Sequence, residues 1–200
     1  MSKGILYTIG YAGFPEVNDF IGALLVNGVD TVVDVRSSPY SAYYKQYDKE
    51  AIHLSLAQNG IHYGSFAEEF GARQENLLYH SNGYLDFEQY ILSEQFLSGV
   101  SRVADGISRG YSPALMCAEK NPIDCHRAIM VSRVFYEQGF EVRHILVDGS
   151  YLTQSELEEE LLDLYYPDRD QASIFGNKPD TDLIKDAYRK QNEKIGYKLT

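Results

Sequence analysis

The fold is decided by ILYTIGYAGFPEVNDFIGALLVNGVDTVVDVR, residues 5–36. Its first piece, Ile5-Leu6-Tyr7-Thr8-Ile9, is a short apolar run of β-favouring residues ended by Gly10. Its last piece, Thr31-Val32-Val33-Asp34-Val35, is a second, mostly β-branched run. Between them Val17, Phe20, Ile21, Leu24 and Leu25 recur at helical spacing. Pro15 suits the first turn of that helix and Gly28 its stop. Strand, helix and strand make a βαβ unit, in which the two strands run parallel.

The alternation continues along the chain. Asp48 is placed to cap a helix carrying Ile52 and Leu56, closed by Gly60, and Ile61-His62-Tyr63 reads as a third strand. Residues 64–83 have weak periodicity and read as a long loop with a helical turn. Helix returns near Phe87, and Phe96, Leu97, Val100, Val103, Ala104 and Ile107 form an apolar stripe. Ala114-Leu115-Met116-Cys117 is a fourth strand. Asn121-Pro122 then reads as an N-cap followed by Pro at the first position of a helix running to Gln138. Val142–Leu146 is a fifth strand, and Thr153-Gln154-Ser155-Glu156 has the form of a capping box. The expected fold is α/β, three-layered and Rossmann-like. It has a mostly parallel five-stranded sheet of order 3-2-1-4-5, with helices on both faces. Residues 1–166 form the expected domain and 167–200 a C-terminal tail, partly extended, with helix around 182–194.

Composition narrows the function. The chain has 200 residues, is 44% hydrophobic and carries a formal net charge of −11. That charge disfavours broad binding to phosphate backbones. No apolar run reaches the length of a membrane span, and the first residues do not resemble a signal peptide. With only two cysteines, the expectation is a cytoplasmic protein whose thiols react or bind rather than staple the fold. There are 17 tyrosines and no tryptophan, and tyrosine suits half-buried surfaces and pockets.

Reactive groups collect where strands end. Gly10 and Tyr11 follow the first strand, Asp34, Arg36 and Ser37 the second, and Cys117 and Glu119 the fourth; Cys125, His126 and Arg127 follow closely. In the expected strand order the first and fourth strands are neighbours whose connections leave in opposite directions, which is where such sheets bind ligands. Cys125 or Cys117 is the candidate nucleophile or redox thiol, because a cysteine near a helix start beside His and Arg becomes more acidic. His126 is the candidate general acid or base. Asp34 and Glu119 would orient these groups or take protons. Gly10, Tyr11, Arg36, Ser37, Arg73 and Arg127 are candidate ligand contacts, the arginines as charged forks for an anion. The plain alternative is an Asp–Arg ion pair beside two buried thiols.

Cys117, Cys125 and His126 with Glu119 or Asp34 are an alternative zinc set, but no metal is assigned. The spacing is not a paired C-x-x-C, and within a helix Cys125 and His126 would point apart. The run from Cys117 to Arg127 is too long for the tight Cys–Arg loop of phosphatases and rhodaneses. Neither a dinucleotide fingerprint nor a Walker loop is present. His53, His62 and His144 read as structural or solvated, and His80 lies in the long loop.

Four stretches together resemble the DUF488 family of uncharacterised bacterial and archaeal proteins. They are Thr8-Ile9-Gly10-Tyr11, Val33-Asp34-Val35-Arg36-Ser37 with Pro39, Phe70-Gly71-Ala72-Arg73, and Leu115–Lys120 with Pro122 and Cys125-His126-Arg127. The resemblance covers about residues 5 to 147, and Tyr11 stands where many relatives have His. It implies an α/β fold and this site, and no particular reaction.

The expected function is an enzyme binding a small anionic or nucleotide-like ligand at the carboxyl ends of strands 1, 2 and 4. A second reading is a non-catalytic adaptor in nucleic-acid maintenance. Gln171-Ala172-Ser173-Ile174-Phe175 looks like the short peptide by which bacterial proteins dock on the sliding clamp, with Gln171, Ile174 and Phe175 as its anchors.

Overall fold

The structure, a computed structural model, describes residues 3–169 and 180–199. In chain order it comprises β1 (Ile5–Gly10), α1 (Val17–Val26), β2 (Thr31–Asp34), α2 (Lys49–Gln58), β3 (His62–Ser65), α3 (Ala67–Phe70), β4 (His80–Ser81), β5 (Tyr84–Leu85), α4 (Phe87–Tyr90), α5 (Glu94–Ser108), β6 (Pro113–Cys117), α6 (Arg133–Glu137), β7 (Glu141–Ile145), β8 (Tyr151–Thr153), α7 (Gln154–Tyr165) and α8 (Asp180–Ile195). The α/β class stands. The capping box is formed as expected: Thr153 accepts from the Glu156 backbone, and the Glu156 carboxylate accepts from that of Thr153.

The strand order differs from the expectation of 3-2-1-4-5. The main sheet has six strands in the order β3-β2-β6-β1-β7-β8. Its first five are parallel, and β8 returns antiparallel along β7. The fourth parallel strand, β6, therefore sits between β1 and β2. Neighbours in sequence tend to pair in space, but nothing forces it. Here α1 carries the chain across one strand position, and β6 fills the slot.

Layering follows from the direction of travel. The connections from β1 to β2 and on to β3 run one way, and those from β3 to β6 and on to β7 run back. With right-handed crossovers this sends the helices to opposite faces. On one face Phe20, Ile21, Leu24, Ile52 and Leu56 pack against Ile9, Val32 and Met116. On the other, Phe96, Val100, Val103, Ile129, Phe135 and Leu157 pack against Leu6, Val33 and Leu115. Phe20, Phe96 and Phe135 are fully buried, each contributing roughly 1.5–3 kcal/mol.

The reversal also fixes a crevice at the edge of the sheet where the strands end. Chain leaves β2 toward β3 and leaves β6 in the opposite direction. The crevice thus opens between β2 and β6, not between the first strand and β6 as the expected order had it. The register brings the strand ends level, pairing Gly10 with Cys117 and Asp34 with Met116.

One segment holds more structure than expected, and the C-terminal helix expected around 182–194 is formed as Asp180–Ile195. Residues 64–83 contain α3 and the turn of a small hairpin, β4 against β5. Asn82 (φ 52°) and Gly83 (φ 85°) make its two-residue turn, a conformation that this residue pair favours. The segment after residue 166 contains α8, which packs with α7 and buries Ala187, Tyr188 and Gln191. Asn192 fastens it: its Oδ1 accepts from the Phe87 N–H and its Nδ2 donates to the Leu85 carbonyl, both at 2.9 Å. Gln171, Ile174 and Phe175 lie outside the described residues. Among the described residues no helix is long and apolar enough to cross a membrane.

Candidate functional site

The crevice is a cavity of about 370 Å³ beyond the carboxyl ends of β1, β2 and β6. Its floor is Cys117, Ala118, Glu119 and His126, and its walls include Tyr11, Arg36, Ser37, Ala72 and Arg73. Tyr40 and Tyr43 stand among its lining residues, 57% and 91% exposed.

Gly10 sets the floor. A Cβ there would overlap the backbone carbonyl of Glu119, so only glycine lets β1 pass so close beneath the loop after β6. The Ala12 N–H then bonds the Ala118 carbonyl at 3.0 Å. From below, Arg127 is fully buried and donates Nη1 to the Glu119 carbonyl (2.6 Å) and Nη2 to that of Lys120 (3.2 Å). Arg127 thus holds the loop in shape. It is not among the residues lining the cavity.

The helix after β6 does not begin at Pro122. Pro122–Asp124 is a single 3₁₀ turn, and Cys125 is extended, with φ −128° and ψ 134°. The carbonyl of Cys125 accepts from the N–H groups of Ala128 and Ile129, so the helix starts here. It runs as a π-helical segment, Arg127–Ser132, that continues into α6. Such π segments are common at functional sites. Because the backbone at Cys125 is extended and not helical, Cys125 and His126 do not point apart as the sequence led one to expect.

Both thiols therefore turn onto one carboxylate. Glu119 Oε2 lies 3.0 Å from Cys117 Sγ and 2.9 Å from Cys125 Sγ. Cys117 and Cys125 are buried and free, 2% and 1% exposed. His126 Nδ1 is 3.8 Å from Cys117 Sγ, and its Nε2 is 3.0 Å from the Val35 carbonyl. A carbonyl only accepts, so Nε2 carries a proton; Nδ1 faces the thiols, and although burial opposes it, Cys125 and Glu119 push the His126 pKa up.

The electrostatics separate the two thiols. Burial, with Cys125 and Glu119 nearby, pushes Cys117 well above the ordinary thiol range. Burial also opposes ionisation of Cys125, but the Cys117 thiol, Arg127 and His126 outweigh it and hold Cys125 well below that range. Glu119 is pushed up by burial and by Cys125. Two anions 2.9 Å apart would repel, so one proton lies between Glu119 and Cys125.

Asp34 and Arg36 form a closed pair to one side. Arg36 donates Nε to Asp34 Oδ1 (2.8 Å) and Nη2 to Oδ2 (2.6 Å), with both residues buried. Its Nη1 donates to the Tyr47 carbonyl and its guanidinium lies 5.2 Å from the Tyr11 ring centroid. Tyr63 donates its hydroxyl to Asp34 Oδ2 at 2.7 Å. Asp34 does not line the cavity; it holds Arg36 flat against the wall. Ser37 Oγ accepts from the Arg73 N–H at 2.8 Å and fixes the opposite rim. Among the described residues the Arg73 guanidinium has no carboxylate partner, and it lies 6.0 Å from the Tyr197 ring. The ion pair of the plain alternative is thus present, but beside a cavity and a four-residue cluster.

Sequence reasoning missed Tyr47, whose ring stacks on Tyr11 at 4.5 Å, and Tyr63. The signal was the tyrosine-rich stretch Tyr40, Tyr43, Tyr44 and Tyr47 directly after Arg36. It also missed a buried chain of hydrogen bonds beneath the site. Arg127 Nε donates to Thr8 Oγ1 (3.3 Å), Thr8 bonds His144 Nδ1 (2.8 Å), His144 Nε2 bonds Gln154 Oε1 (3.0 Å), and Gln154 Nε2 donates to the Tyr188 hydroxyl (2.8 Å).

No curated protein and no solved structure matches this chain. A family model does, over residues 16–134, more than half of the chain. The match spans Asp34–Ser37, Phe70–Arg73 and Cys117–Arg127, and so every part of the site except the end of β1. The chain belongs to the family described as "Domain of unknown function DUF488".

Proposed function

We propose that this protein is an enzyme whose cavity binds a small anionic, nucleotide-like ligand and whose Cys117, Glu119, Cys125 and His126 carry the chemistry. One observation carries the reading. A single cavity joins a floor of acid–base and thiol groups to a rim holding an arginine that has no carboxylate partner among the described residues, and two exposed tyrosine rings. Arg73 and the hydroxyls of Ser37 and Ser38 suit a phosphate or carboxylate. Tyr40 and Tyr43 offer π-faces to a flat ring. Arg36 is charge-neutralised by Asp34, so it shapes the wall more than it draws an anion.

Cys125, the more acidic thiol, lies beneath the cavity floor and would act as a base through Glu119, which reaches the cavity and would give or accept the shared proton. Calorimetric titration with adenosine monophosphate and with adenosine tests the binding half. The nucleotide should bind more tightly, and Arg73→Ala should weaken it about tenfold or more. Absence of binding up to millimolar concentration, or equal binding by Arg73→Ala, would overturn the reading.

A further inference from the structure

We propose that Cys117, Cys125, His126 and Glu119 are the ligands of one zinc-class metal ion. The donor atoms of these four residues all lie within 4.8 Å of one another. Three of their separations are 2.9, 3.0 and 3.8 Å. A tetrahedral ion with bonds of about 2.0–2.3 Å needs donors roughly 3.3–3.8 Å apart, so the cluster closes on an ion by shifts of up to about 1 Å.

Three further features fit. His126 is held by the Val35 carbonyl at Nε2, the kind of outer bond that orients a ligating imidazole and leaves the other nitrogen for the metal. Two sulfur donors and one imidazole select zinc, or cobalt in its place, over the oxygen-seeking magnesium and calcium. Arg127, buried beneath the loop, offsets part of the negative charge that two thiolates and a carboxylate bring.

The four positions are not equivalent. Cys125 lies beneath the cavity floor, while Cys117, His126 and Glu119 line it. Of the four only Glu119 is exposed as a residue, although its carboxylate is part-buried against the two thiols. A carboxylate there can yield its place to water or to a ligand, which is the arrangement of catalytic rather than structural zinc. Metal binding displaces the thiol protons to water and needs no oxidant.

The inference shares the floor of the proposed ligand cavity but not its evidence. Metal content is read without any organic ligand, so ligand binding and metal binding can each fail alone; with an ion bound, Cys125 and Glu119 serve as its ligands in place of the free acid–base pair. The probe is Co²⁺ titrated into the reduced, metal-stripped full chain carrying no affinity tag. The expected result is uptake of one ion with thiolate-to-cobalt charge-transfer absorption and the strong visible bands of tetrahedral cobalt, displaced by one equivalent of Zn²⁺. Glu119→Gln should keep the charge-transfer band and alter the visible bands; Cys125→Ser should lose about half of the charge-transfer intensity. Failure of the wild-type chain to take up either ion overturns the proposal, as does a cobalt spectrum without a thiolate band. Because the wild-type chain gives the deciding readout, a variant that does not fold leaves the test intact.

Discussion

His126 donates its Nε2–H to the backbone carbonyl of Val35 at 3.0 Å, and that one bond points the ring's other nitrogen at the two thiols. Val35 directly follows β2, while His126 stands at the start of the helix after β6. The bond therefore ties the two sides of the crevice together. His126→Ala should loosen that tie and remove a cluster donor. The expected result is a stability loss of about 1–3 kcal/mol in urea unfolding, with Co²⁺ uptake weakened at least tenfold. Unchanged uptake would separate His126 from the cluster.

Asp34 and Arg36 are a buried, bidentate pair, and removing one partner strands the other charge away from water. Asp34→Ala should destabilise the fold by about 3–5 kcal/mol. Asp34→Ala combined with Arg36→Met should recover much of that loss, because no uncompensated charge then remains. Chemical denaturation of the single and double variants checks this; equal losses in both would show that the pair's charge is not what matters.

Gly10→Ala places a methyl group where the Glu119 carbonyl stands, and that carbonyl cannot yield without breaking its bond to Arg127. The overlap should cost about 1–3 kcal/mol or more. It should also lower cobalt affinity, since Glu119 moves with its backbone. Calorimetric melting and metal titration of the same sample read both effects.

His144 gives the fold a pH dependence. It is fully buried between Thr8 and Gln154, and burial, then Arg127, pushes its pKa down from 6.5 to about 3. The unfolded chain takes the proton near pH 6.5, and the folded chain refuses it until near pH 3. The contribution is therefore complete above pH 6.5 and is lost as pH falls from there. The slope is up to about 1.4 kcal/mol per pH unit. Urea unfolding should show about 2 kcal/mol less stability near pH 5 than near pH 6.5. A His144→Gln variant should be nearly flat over that window, and an equal slope in both would assign the effect elsewhere.

Asn192 should prove structural although it lies far along the C-terminal segment. Asn192→Ala leaves the Phe87 N–H and the Leu85 carbonyl without their partner in a buried place. A loss of about 1–3 kcal/mol is expected, read by denaturant midpoint.

What the sequence made legible was local. Ile5–Ile9 and Thr31–Val35 read as strands because buried parallel strands are continuous apolar runs. Thr153 and Glu156 read as a helix start because a capping box spans three residues. Cys117, Glu119, Cys125 and His126 read as one site because they follow a strand end and are close in sequence. Strand order was not legible, since the slot between β1 and β2 is filled by residues more than 80 positions downstream, at Pro113–Cys117. Nor was the backbone at Cys125, because Asn121-Pro122 opens a 3₁₀ turn as readily as a long helix. That single misreading hid the convergence of Cys125 and His126. The Asn82-Gly83 hairpin was legible in principle and lay inside a stretch read as loop.

On the proposed function, the ligand enters the cavity between β2 and β6. Amide chemical-shift mapping of the labelled chain during titration with adenosine monophosphate tests it most directly. The largest shifts should fall at Ser37, Tyr43, Ala72, Arg73, Ala118 and Glu119, around one wall and floor. Saturable shifts confined to another surface, with these residues unmoved, would contradict it.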